Sequence, residues 1–81
     1  MEVTQIKQLI EQGLDQAQVT VTGGEGKYEA LVISSAFDGV SMVKRHQMVY
    51  RTVNEHIQSG ALHALTIRAF TPEQWAQKNA D

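Results

Sequence analysis

The chain has 81 residues, no cysteine and a formal net charge of −2. The lack of cysteine excludes disulfides, thiolate nucleophiles and any zinc or iron–sulfur site built from the chain's own sulfur. The acidic balance removes the domain-wide basic footprint that is typical of nucleic-acid-binding proteins. Because the chain is too short for two hydrophobic cores, we predict a single domain over residues 1–81.

The first half of the sequence predicts a helix followed by two strands. Apolar residues recur at spacings of three and four, which indicates an amphipathic helix; they are Val3, Ile6, Ile10 and Leu14. From Val19 the apolar period changes to two, which predicts a strand that ends in the glycine-rich turn at residues 23–26. The apolar run in residues 28–34 predicts a central strand. The two strands most simply form an antiparallel hairpin.

The second half predicts a helix, a strand and a short final helix. Ser41 can cap a helical stretch that runs to about Ser59, where Gly60 supplies the stop. Residues 62–70 predict a third strand, and Thr71 followed by proline starts the last helix. A helical crossover lets the third strand run parallel to the second. We therefore predict an α+β fold, with helices packed on one face of a three-stranded mixed sheet.

Two sequence blocks carry a family resemblance. Residues 37–50, FDGVSMVKRHQMVY, resemble the BolA signature F-x-G-x-S-x-V-x-R-H-x-x-V-Y. Residues 62–67, LHALTI, and 71–75, TPEQW, are similar to the C-terminal pattern of the same family. The short form of the chain looks most like the acid-stress members. This resemblance implies the αββααβα, KH-like fold (class II KH), in which the long helical stretch is divided into a short helix and a longer one.

The same resemblance implies an interaction protein and not an enzyme. Family members pair with monothiol glutaredoxins in iron–sulfur cluster trafficking, and a C-terminal histidine, here His63, ligates a [2Fe-2S] cluster shared with the glutaredoxin and glutathione. A chain without cysteine can join such a cluster only by adding nitrogen or oxygen ligands to a partner's thiolates. Many members also carry His or Cys in the first hairpin, where this chain has Lys27, a protonated and therefore poor ligand. Glu25 is the weak remaining candidate, so we expect a labile cluster or a complex without one.

A second hypothesis is a DNA-binding transcriptional regulator, an activity also reported for some family members. Lys44, Arg45 and Arg51 bring three cations to one helix without an acid between them, with His46 beside them and Arg68 on the sheet. This pattern suits an acidic protein partner as well as nucleic acid. The alternative is that these cations form a solvated face and that His46 fills a gap beneath the preceding loop. The helix-connecting loop lacks the second glycine of an RNA-binding G-x-x-G motif.

The remaining expectations concern the state and location of the protein. An open sheet edge could pair two copies, so we expect a monomer or a weak homodimer. No apolar run is long enough to span a bilayer, and the N-terminus lacks the features of a secretory signal. We therefore expect a cytoplasmic protein without a membrane partner.

Overall fold

Three strands form one mixed sheet in the order β1-β2-β3. The computed structural model describes residues 1–60, 62 and 64–79. Strand β1 (Gln18–Gly24) runs antiparallel to β2 (Lys27–Ile33), and β2 runs parallel to β3 (Ala64–Phe70). Both predicted pairings are confirmed, and β2 is central, as expected from its apolar run. Strands β1 and β3 form the two edges of this sheet.

The two long helices cover one face of the sheet. Helices α1 (Val3–Gly13) and α2 (Met42–Gln58) pack on the side chains that alternate along the strands, and α3 (Pro72–Lys78) lies beside β3. The core combines residues of both long helices and all three strands; its fully buried members include Ile6, Ile10, Ala30, Val32, Val49 and Val53. The predicted α+β class is confirmed. In the described part of the chain, no helix combines the length and the apolar character that a bilayer crossing requires.

Local hydrogen bonds set the ends of the helices where the sequence predicts them. The Ser41 hydroxyl accepts the backbone N–H of Lys44 at the start of α2. Gly60 follows the end of this helix with a φ of 84°, a left-handed conformation that favours glycine. At α3, the Thr71 side chain and the Gln74 side chain each accept the other residue's backbone N–H in a capping box.

Two predicted helical segments differ from the structure. Helix α2 is continuous, and the short helical element is a 3₁₀ helix at Ser35–Phe37, ahead of the predicted helical stretch. The buried Ser34 hydroxyl initiates this turn because it accepts the N–H of Ala36 while it donates to the carbonyl of Asp15. Helix α1 ends at Gly13, and its apolar stripe continues past the helix end because Leu14 is extended but still buried.

Candidate cluster-ligand site and basic face

The β1–β2 hairpin ends in a tight two-residue turn made by Glu25 and Gly26. Both residues have positive φ, 55° and 82°, as in the type I′ turn that matches the twist of hairpin strands. Gly23 is also required, because a Cβ there would lie 2.3 Å from the carbonyl oxygen of Lys27. The side chains of Glu25 and Lys27 are exposed. The turn is thus a fixed scaffold that presents one carboxylate and one ammonium group to solvent.

The start of β3 is tied to this turn. The backbone N–H of Ala64 donates to the carbonyl of Gly26 at 3.0 Å, and Ala64 is in register with Lys27. Leu62 is fully buried, and its N–H donates to the carbonyl of His56 at 3.1 Å. The predicted ligand His63 lies outside the described residues. Its two neighbours in the sequence are held on one side by the hairpin turn and on the other by the end of α2.

The donor set of this chain suits only a shared cluster. A [2Fe-2S] cluster takes four ligands, usually cysteine thiolates and in some centres two histidines. This sequence has three histidines and no cysteine. In residues 1–60, 62 and 64–79, no three His, Asp or Glu side chains come together as a metal-binding group. The roles assigned to His63 and Glu25 remain predictions that depend on thiolates from a partner.

Arg45 does not contribute an exposed cation to the predicted basic face. Its side chain is 94% buried, with 6% of its surface exposed. Its guanidinium donates to the carbonyl of Val40 at 2.8 Å, to that of Ala69 at 3.3 Å and to the Gln74 side-chain oxygen at 2.8 Å. It also lies over the ring of Phe37 at 5.7 Å. Arg45 therefore joins the signature loop, β3 and α3, and the prediction that it forms part of an exposed basic face is wrong.

The role of Gln74 in this junction was not predicted. Gln74 is the capping-box partner of Thr71. Its side-chain oxygen accepts from Arg45 in addition, across 29 residues of sequence. A local motif carries no signal for such a distant partner.

The side chains of His46 and Arg68 also do not form one exposed surface with the cations of α2. His46 is half-buried, and its buried Nε2 has no hydrogen bond to any residue that the structure describes, which agrees with the alternative that it fills a gap. Arg68 alternates with the core residues Ile67 and Ala69, so its side chain lies on the sheet face opposite α1 and α2. There it is 3.9 Å from the Glu29 carboxylate. The expectation that Arg68 joins the helix cations is wrong.

Lys44 and Arg51 remain as the exposed cations of the predicted face. They are seven residues apart on α2, which places them on the same side of the helix two turns apart. Arg51 also lines a shallow cavity of about 290 Å³ where α2 meets the end of α1. The basic face is therefore smaller than predicted, with two exposed cations in place of four.

Comparison with known proteins agrees with the two sequence blocks. A family model described as BolA-like protein matches residues 4–74. The chain belongs to the BolA-like family. It is 34% identical to the acid stress protein IbaG of Escherichia coli K12 over 77 residues, covering 95% of this chain and 92% of that one. It is 35% identical to the DNA-binding transcriptional regulator BolA of Haemophilus influenzae over 57 residues, covering 70% and 54%.

Solved structures carry the same fold. A bolA protein homologue from Coxiella burnetii superposes with a TM-score of 0.84 at 34% identity, covering 93% of this BolA-like chain and 96% of that one. The family and the fold expected from the signature are thus confirmed, including the resemblance to an acid-stress member. The roles of individual residues remain predictions.

Proposed function

We propose that this BolA-like protein is a non-enzymatic interaction protein that binds a monothiol glutaredoxin and shares a [2Fe-2S] cluster with it and with glutathione. His63 supplies the ligand from this chain, and the thiolates come from the partner and glutathione. The protein then acts in iron–sulfur cluster trafficking and maturation, in the context of stress response. It works in the cytoplasm.

The observation that carries the proposal is the tie between Ala64 and Gly26. Ala64 follows His63 in sequence. The hydrogen bond from its N–H to the Gly26 carbonyl holds the backbone at Ala64 against the hairpin turn. On the other side, buried Leu62 is anchored to α2. The residues before and after the proposed ligand are therefore both held by backbone hydrogen bonds.

The turn beside this segment supplies a weak second ligand. Glu25 is exposed there, but carboxylate oxygen is a harder ligand than imidazole or thiolate and suits iron in this cluster less well. Lys27, which is in register with Ala64, places a cation where the family resemblance implies a ligand. The partner must therefore hold most of the cluster, and the cluster is expected to be lost readily.

The test is anaerobic co-purification of this protein with a monothiol glutaredoxin and glutathione, followed by visible absorption and circular dichroism. His63→Ala should change the visible circular dichroism and accelerate cluster loss. His56→Ala is the matched control, because it removes another histidine side chain while leaving the backbone carbonyl that holds Leu62. Glu25→Gln, with Glu29→Gln as control, tests the carboxylate. Identical spectra for the wild type and His63→Ala would remove His63 from the cluster.

A second candidate function is duplex DNA binding through α2. It is supported by the exposure of Lys44 and Arg51 on one side of the helix and by the match to a relative named as a DNA-binding regulator. Because Arg45 is buried, we restrict the proposal to the two exposed cations. Two phosphate contacts predict a slope of about −1.8 for log affinity against log salt concentration.

The DNA proposal is tested by titrating duplex DNA at several salt concentrations. The double variant Lys44→Gln/Arg51→Gln should remove this salt dependence, reducing the magnitude of the slope by about 1.8. Lys7→Gln, an exposed cation on α1, is the control and should leave the slope unchanged. An equal slope in the double variant and the wild type would contradict DNA binding through α2.

A further inference from the structure

An open groove of about 710 Å³ lies between the start of α2 and helix α3. Its apolar surface includes Val40, Met42 and Phe70, and its polar groups include Arg45 and Lys78. Phe70, near the end of β3, contacts Trp75 with the ring centroids 5.3 Å apart, so α3 is held against this strand. The groove is therefore framed by regular structure and not by a loose tail.

Among the residues that the structure describes, the groove carries positive charge without a matching acid. Arg45 and Lys78 both line it, and no Asp or Glu does so within the described residues. All three hydrogen bonds of the buried Arg45 side chain go to uncharged oxygens. Its second terminal nitrogen, Nη2, donates to no residue that the structure describes. A buried guanidinium without a counter-charge favours the entry of an anion.

The first turn of α2 begins at the groove residue Met42 and has free backbone donors. The Lys44 N–H is taken by the Ser41 hydroxyl, and the first backbone bond of the helix runs from Arg45 to Ser41. The N–H groups of Met42 and Val43 therefore have no partner within the described chain. Helix α2 has 17 residues, and its dipole places partial positive charge at this end.

We propose that this groove binds the phosphate monoester group of a small molecule. Two cations and a helix N-terminus match a dianion better than a carboxylate or a phosphodiester, each of which carries one negative charge. The apolar surface beside the cations suits a ligand whose body is apolar or aromatic. Phe70 lies six residues along β3 from Ala64, so the groove and the start of β3 are about 20 Å apart. The groove is therefore separate from the proposed cluster site, and this proposal does not depend on it.

The proposal is tested on the ¹⁵N-labelled full chain by titration at pH 7.5, with chloride holding the ionic strength constant. Inorganic phosphate should give saturable amide shifts at the first turn of α2 and at α3. Phenyl phosphate should bind more tightly because its ring can cover the apolar surface. Dimethyl phosphate, a monoanion that stands for the nucleic-acid backbone, should bind more weakly. Shifts that never saturate, or equal binding of dimethyl phosphate and inorganic phosphate, would overturn the proposal.

Three substitutions identify the groups that bind phosphate. Lys78→Gln should weaken phosphate binding roughly tenfold, because a charge-assisted contact is lost. Met42→Pro should also weaken phosphate binding, because proline has no backbone N–H. Proline is tolerated at the first position of a helix, and the preceding residue Ser41 already has the extended backbone that proline requires, with ψ at 157°. Lys7→Gln is the control, an exposed cation on α1 that does not line the groove and has no role in either proposed site. If Lys7→Gln weakens binding as much as Lys78→Gln does, the effect is general electrostatics and the site is refuted.

Discussion

Replacement of Arg45 by alanine should cost the protein much of its stability. The side chain donates three hydrogen bonds, to Val40, Ala69 and Gln74. At about 1 kcal/mol net for each bond, the loss is about 3 kcal/mol. The contact with the Phe37 ring adds about 0.5 kcal/mol. A domain of this length has a free energy of unfolding of roughly 4 to 12 kcal/mol, so the variant loses a large fraction of it.

The assay is urea unfolding followed by far-ultraviolet circular dichroism, together with thermal unfolding. We expect Arg45→Ala to lower Tm by about 15 °C. Lys44→Ala, the exposed neighbour, should change the free energy of unfolding by less than about 0.5 kcal/mol. In a double-mutant cycle, Arg45→Ala and Gln74→Ala should couple by about 1 kcal/mol. Equal stability of the Arg45→Ala and Lys44→Ala variants would refute the account, because it would mean that Arg45 is a surface cation.

Three further predictions follow from close contacts and from the hairpin. Gly13→Ala should lower the free energy of unfolding by about 1 kcal/mol in urea, because the new Cβ would lie 2.6 Å from Thr52 Cγ2. Thr52→Ser removes that methyl group and should restore the stability of the Gly13→Ala variant. If Thr52→Ser does not restore it, the clash is not the cause. Gly23→Ala should lower the free energy of unfolding by at least about 2 kcal/mol, because its φ of 121° is strained for a residue with a side chain and the Lys27 carbonyl would clash with the new Cβ. Unchanged stability would contradict the turn geometry. Lys27→His should slow cluster loss from the glutaredoxin complex measured by visible absorption, and loss at the wild-type rate would argue against a cluster ligand at this position.

The sequence predicted the elements whose signals are local. The alternation from Val19 and the apolar run in residues 28–34 gave the hairpin, and the caps at Ser41 and Thr71 gave the starts of two helices. These signals lie within a few residues of the structure they specify. The 3₁₀ helix was missed because it depends on the burial of Ser34 and on its bond to the distant Asp15 carbonyl.

The candidate surfaces were predicted less well because burial depends on residues far apart in sequence. Arg45 stands between Lys44 and His46, where a cation is most simply read as part of an exposed patch. Its acceptors at Ala69 and Gln74 are 24 and 29 residues away. Arg68 was assigned to the wrong surface for a related reason. Strand alternation shows that Arg68 and Ile67 lie on opposite faces of the sheet, but only the packing of the long helices shows which face is buried.

The most direct test of the central claim is to detect a nitrogen ligand from this chain on the cluster. The chain is labelled with ¹⁵N-histidine, assembled anaerobically with unlabelled monothiol glutaredoxin and glutathione, reduced, and measured by pulsed electron paramagnetic resonance. The account predicts a strong ¹⁵N coupling that persists in His56→Ala and disappears in His63→Ala. A cluster that forms with no ¹⁵N coupling, or whose coupling survives in His63→Ala, would contradict it.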